Sequence, residues 1–181
     1  YFIDGGSSDV KKAGKYRIEP FLKSRGVGEL DYVFISHGDS DHISGIEEML
    51  ERKSTGIRIR TLVLPVQEVW DEHLLGLAKK AMGSGTRVAV MARGMALKEG
   101  DMSLSCLAPG RDFPGEKGNA ASMVLLLSCG EFDMLFTGDI EGEGEEALTQ
   151  MLETDCGAKS IEVLKAAHHG SKNSSSEEFL E

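Results

Sequence analysis

The chain has 181 residues and a formal net charge of −10, with hydrophobic residues at 40% and charged residues at 28%. That length and balance suit one soluble globular domain with a real core. The acidic surplus argues against a module that grips nucleic acid by a broad basic face. It leaves open a nucleic-acid enzyme whose site charge comes from bound cations.

No run approaches the roughly 18 apolar residues of a membrane helix. The longest apolar stretches, TLVLPV and MVLLL, are strand-length, and no signal peptide is visible. The chain begins at Tyr1, within a predicted strand, and ends within a predicted helix, SSSEEFLE. It is therefore expected to be a piece of a longer protein. Cys106, Cys129 and Cys156 are far apart. An odd count without CxxC spacing argues against a disulfide framework or a structural zinc knot, and each is predicted to be a small buried hydrophobe.

In chain order, YFID reads as a short apolar strand ending at the turn Gly5-Gly6. KYRIEPFLKSRG reads as a helix with Ile18, Phe21 and Leu22 on one face, starting or kinking at Pro20. LDYVFIS is a buried strand. ISGIEEMLERK is helical, with Ile43, Ile46, Met49 and Leu50 on one face. RIRTLVLP is a strand, VWDEHLLGLAKKAMG a helix stopped by Gly83, and TRVAVM a strand. MALKEGDMSLSCLAP is predicted as two short strands around a Gly-Asp turn, and ASMVLLLSCGEFDMLFTGD as a hairpin around Gly130. EGEGEEALTQMLE is a helix with an acidic start, which suits its dipole, and SIEVLKAA is a strand. The alternation implies a layered α/β fold with mixed sheets. The longest loop is PGRDFPGEKGNA, residues 109–120.

The chemistry concentrates at three predicted strand ends. HGDSDH follows LDYVFIS and packs His37, Asp39, Asp41 and His42 into six positions. Imidazole and carboxylate together suit Zn, Mn or Fe better than Ca. A calcium loop begun at Asp39 would place Ile43 where an oxygen ligand is needed, so that alternative fails. MLFTGD ends at Asp139, and EVLKAAHHGS ends at His168 and His169. Taken singly, an HxD loop or a Gly-Asp after a strand is most often a polar turn. Three such clusters at strand ends, where α/β sites are built, point instead to a metal centre. His37, Asp39, Asp41, His42, Asp139 and His168 suffice for two ions with Asp139 between them. Asp4 is favoured as support rather than ligand, and His73, within a helical segment, as a surface residue.

SHGDSDHISG resembles the HxHxDH signature of the metallo-beta-lactamase fold in its HxDxDH form. With IDGG before it, NAASMVLLL and LFTGDIE in the middle and LKAAHHGSKNSSSEEFL at the end, the chain resembles the C-terminal domain of the ComEC competence (DNA-uptake) family. The resemblance covers essentially the whole chain in motif order. It implies an αββα sandwich of two mixed sheets, truncated here at both ends. Residues 1–181 would be a single domain and a fragment of a longer membrane protein. It implies a hydrolase using one or two divalent ions, Zn or Mn. His37 and Asp39 would bind the first, Asp41, His42 and His168 the second, and Asp139 would bridge. Asp41 would also hold the attacking water, and Lys172 would offset phosphate charge. His169 and Ser171 would lie beside the site.

Three departures matter. Asp39 stands where most superfamily members have His. Asn119 and Ser122 occupy the region of their missing middle histidine, as in the ComEC-like branch. The family's closing strands, with a late histidine, lie beyond this sequence. The implied function is a nuclease degrading one DNA strand during natural transformation, binding single-stranded DNA weakly. The implied setting is the extracytoplasmic side of a membrane channel formed by the parent chain. Two rivals share the motifs: a hydrolase of a small phosphodiester such as a phosphocholine ester, and a non-catalytic gating domain of a DNA-uptake channel. A beta-lactamase fits less well without the middle histidine.

Overall fold

The computed structural model describes residues 1–52, 56–155 and 161–181. The chain divides into two compact units, residues 1–64 with 70–90, and residues 65–69 with 91–181.

The first unit is built on a four-stranded sheet in the order β1 (Phe2–Ile3), β2 (Glu29–Phe34), β3 (Arg58–Pro65) and β4 (Arg87–Met91). β1 and β2 run parallel, with Ile3 opposite Phe34, as do β2 and β3. Three helices accompany them: α1 (Glu19–Ser24), α2 (Ser40–Glu51) and α3 (Glu72–Ser84). The predicted face of α2 is the buried one, since Ile43, Ile46, Met49 and Leu50 all join a core with Val33, Leu62 and Leu77. A strand buried on both faces needs a continuous apolar run, and TLVLP in β3 supplies it.

Two expectations for this unit are corrected. Phe21 is 62% exposed, whereas Leu22 is buried. A turn of π-helix at Gly14–Ile18 runs into α1, and the stripe that meets the core there is narrow: Ile18 and Leu22, four residues apart, face inward, while Phe21 falls outside it. Helix α3 passes through Gly83 and stops at Gly85, whose φ of 83° closes the helix with bonds back to Ala81 and Met82. His73 is exposed, as expected.

The second unit carries a five-stranded sheet in sequence order: β5 (Ala96–Glu99), β6 (Met102–Ala108), β7 (Val124–Cys129), β8 (Phe132–Phe136) and β9 (Val163–Lys165). The first three pairings are antiparallel and the last is parallel. Both predicted hairpins therefore form. α4 (Glu143–Asp155) packs Leu148 against Val124, Leu135 and Ile140, and the short α5 (Glu177–Leu180) follows at the end. Cys106 is buried as expected, but Cys129 is exposed where β7 reaches its turn. Cys156 lies outside the described residues. Among the described residues, no helix is long and apolar enough to cross a membrane.

Candidate metal centre

In the first unit, parallel pairing sets the ends of β1 and β2 side by side. The Asp4 amide donates to Phe34 O at 2.9 Å, which carries the Asp4 side chain to Ser36. There Asp4 Oδ1 accepts from the Ser36 amide and Oδ2 from the Ser36 hydroxyl, both at 2.8 Å. Asp4 Oδ2 also lies 3.0 Å from His42 Nδ1. Ser36 Oγ is 3.0 Å from His37 Nδ1, and the His37 and His42 ring centres are 4.2 Å apart. Both rings are buried at 2% exposure. Asp39 caps the start of α2 through its backbone, with a half-exposed side chain 3.6 Å from His37 Nε2. Asp41 sits in the first turn of α2, partly buried.

Glycines make this approach possible. A Cβ on Gly6 would overlap Ser40 O, and one on Gly38 would meet the Asp71 carboxylate at 2.7 Å. The Gly5 amide donates to His42 O at 2.7 Å. The loop after β1 is thus fastened to the helix that presents Asp41 and His42.

In the second unit, the parallel neighbours β8 and β9 end together, with Phe136 opposite Lys165. Each chain then turns into polar residues at the same edge. Asp139 is 2% exposed, and its amide donates to the buried Ser122 hydroxyl at 3.2 Å. Lys165 Nζ donates to Gly138 O at 2.7 Å and lies 3.5 Å from Asp139 Oδ1. His169 Nε2 is 3.4 Å from Asp139 Oδ2. His168 turns elsewhere: its Nδ1 lies 3.0 Å from Glu141 Oε2, and Asn119 Nδ2 donates to Glu141 Oε1 at 3.0 Å. Both histidines have left-handed backbones, with φ of 47° and 53°, so their side chains diverge within one turn. The Ser171 amide donates to His168 O at 2.9 Å, and Lys172 is exposed on the same loop.

The structure therefore groups Asp4, His37, Asp39 and His42 in one unit, and Asp139, Lys165 and His169 in the other. Asn119 and His168 meet at Glu141. Lys165, Glu141 and Ser36 were not singled out in the sequence. A lysine inside the apolar run VLKAA was the available signal for the first of them.

The donors fit a borderline divalent ion, being imidazole nitrogens and carboxylate oxygens. The Asp4 carboxylate beside His42 Nδ1 is the kind of partner that orients an imidazole and would leave its Nε2 available to an ion.

The family model described as the metallo-beta-lactamase superfamily matches residues 3–181, and the chain belongs to that superfamily. Two curated relatives bear out the likeness to its ComEC-like competence branch. One is "ComE operon protein 3" of Bacillus subtilis, 33% identical over 171 residues. The other is "Recombination protein 2" of Haemophilus influenzae, 28% identical over 163 residues. They cover 93% and 90% of this chain, whereas the chain spans about a fifth of their length, 20% and 18%. Among solved structures, a mutant metallo-beta-lactamase with an HARLDQ motif from Cronobacter sakazakii is 13% identical, with a TM-score of 0.50. That match covers 90% of this chain and 66% of the other. A variant of the CmlA beta-hydroxylase is 18% identical, with a TM-score of 0.50, covering 76% of this chain and 26% of the other. These two likenesses establish the fold alone.

Proposed function

We propose that the chain is a metal-dependent phosphodiesterase that cuts DNA, degrading one strand during DNA uptake in natural transformation. The donors we assign to the ion are Asp41 and His42, in the first turn of α2, and Asp139 and His169, which follow β8 and β9. His37 and Asp39, 3.6 Å apart, would add one imidazole and one carboxylate to the set, and His168 pairs with Glu141. The observation that carries the reading is the backing of His42 by Asp4, which serves a metal ligand better than a solvent-facing turn.

A divalent ion bound there supplies the positive charge and Lewis acidity that phosphoester hydrolysis needs near neutral pH. The rest falls to side chains. Asp4 and Ser36 fix the histidine rings. Asp41, partly open to solvent, would accept a proton from the attacking water. Lys165 holds the turn that carries Asp139, and Lys172 is the exposed cation available to a phosphate oxygen. The parent protein would sit in the cell membrane with this domain on the extracytoplasmic side.

The test is cleavage of end-labelled single-stranded DNA with Mn or Zn, beside the same reaction in chelator and an Asp41→Ala variant. Cleavage is expected only with metal, and at least about a hundredfold slower in the variant. Cleavage that persists in chelator, or is untouched by the substitution, would contradict the proposal. Hydrolysis of a small diester without cleavage of DNA would favour a small phosphodiester as substrate.

A further inference from the structure

The chain is acidic, but its basic residues are unevenly placed. Residues 9–25, DVKKAGKYRIEPFLKSR, hold six of the twenty Lys and Arg and only two of the thirty Asp and Glu. Of those two, Glu19 is 2% exposed and turned inward to Arg52 and Lys23, so it offers little negative charge to solvent. Lys11, Lys12, Arg17, Lys23 and Arg25 are exposed. Between them stand two aromatic rings that the core does not take: Tyr16 is 56% exposed and Phe21 62%.

The charges and the rings are close together. Lys15 Nζ lies 4.8 Å from the centre of the Tyr16 ring. The Tyr16 hydroxyl is held below its ordinary pKa by a hydrogen bond from Lys15, then by the charges of Lys15, Lys12 and Arg52, so the field there is positive. The apolar inner face of the segment is already used, with Leu22 in the core and Ile18 packed against it. What remains outside is mainly cations and flat rings, with Val10 the one exposed branched aliphatic side chain and no stripe of the kind a membrane-surface helix would bury.

We infer that the segment from Lys11 to Arg25, a turn leading into the π turn and α1, is a docking surface for single-stranded nucleic acid. Its cations track the phosphates, and Tyr16 and Phe21 stack on unpaired bases. Sequence-tolerant strand binding combines those two features, a basic track and exposed aromatic platforms. A localised track on an otherwise acidic chain would hold the strand there and release it elsewhere. The inference deepens the phosphodiesterase reading by giving the substrate strand a named surface on the first unit, and it rests on that reading for its purpose.

The test is fluorescence anisotropy of a labelled, phosphorothioate-linked thymidine 20-mer, which resists cleavage, on the metal-loaded 181-residue chain. Three variants are compared: Lys11→Glu with Arg17→Glu, Tyr16→Ala with Phe21→Ala, and a charge-matched control, Lys79→Glu with Lys98→Glu. All six positions are exposed, and circular dichroism confirms that each variant is folded. The first pair is expected to weaken binding about tenfold or more and to flatten its salt dependence, by roughly 0.7 in log–log slope per lost phosphate contact. The aromatic pair should weaken it about fivefold or more with the slope unchanged. The control should change it less than about twofold. Equal losses in the control and the first pair would overturn the inference, as would an aromatic pair that binds like the parent. Binding to vesicles of phosphatidylglycerol and phosphatidylcholine, with none to the oligonucleotide, would assign the face to a membrane and overturn it too. Hydrolysis of bis(p-nitrophenyl) phosphate, which needs no strand contact, separates the two claims. Its absence in the parent chain would count against the phosphodiesterase alone, while oligonucleotide binding would still report on the surface.

Discussion

Asp4 Oδ2 lies 3.0 Å from His42 Nδ1, joining the end of the first strand to the first turn of the helix that carries Asp41. The same carboxylate accepts both the amide and the hydroxyl of Ser36 at 2.8 Å. One side chain thus fixes a ring orientation and the course of two strand ends. Asp4→Asn should keep the fold while weakening divalent-metal binding by about 10- to 100-fold, since the ring loses its anionic partner. Isothermal titration with Mn and Zn measures it. An unchanged affinity would leave Asp4 with a purely structural role.

The loop beside Asp4 depends on close backbone approach. Because a Cβ on Gly6 would overlap Ser40 O, Gly6→Ala must displace either the loop or the start of α2. A loss of about 1–3 kcal/mol is expected, the usual range for overpacking a tight site. A chemical denaturation midpoint reads it directly. Gly26→Ala has open space but a positive φ of 75°, so its smaller cost would come from backbone strain alone.

Glu145 is a buried carboxylate on α4 that accepts from the Ser175 and Ser176 amides, the latter at 2.9 Å. Ser175 Oγ in turn accepts from the Ala167 amide at 3.3 Å, immediately before the histidine pair. Glu145→Ala strands two donors and should cost about 1–3 kcal/mol. Glu145→Gln keeps acceptor capacity on one oxygen and should recover part of that loss. Thermal unfolding of the three proteins distinguishes these outcomes.

The two described cysteines should differ sharply in reactivity. Burial pushes the Cys106 thiol up to about 12, only partly opposed by a backbone hydrogen bond with Ala108. Cys129 is exposed. A thiol-selective alkylating reagent at pH 8 should modify Cys129 in the folded chain and reach Cys106 only on unfolding, with peptide mass spectrometry giving the sites. The sign for stability follows. The folded state keeps the Cys106 proton above pH 9, where the unfolded thiol loses it, so this group lowers stability as pH rises from about 9 to about 12.

Much of this arrangement is legible in the residues. The face of α2 follows from Ile43, Ile46, Met49 and Leu50, because a 3.6-residue period leaves only one way to bury them. The donor clusters are visible because each follows an apolar strand. Phe21 was misread because the third and fourth residues after Ile18 are equally good partners for it on paper, and the core takes only Leu22. Gly83 and Gly85 are equally good stop signals on paper, and only the left-handed φ of Gly85 decides between them. In His168-His169-Gly170 the sequence cannot say which ring turns toward Asp139. That depends on two successive left-handed residues and on Glu141, which takes His168 away. Lys165 was passed over because a lysine at a strand end is usually a solvated terminus.

The assignment of donors is tested most directly by equilibrium metal binding to four proteins: the parent chain, Asp139→Asn, His169→Ala and His168→Ala. Binding of at least one divalent ion is expected in the parent. Asp139→Asn and His169→Ala should lose it by about 100-fold or more, whereas His168→Ala should fall by about tenfold, as suits a ring held by Glu141 behind the site. Affinities equal in all four proteins, or a greater loss in His168→Ala than in His169→Ala, would contradict the assignment.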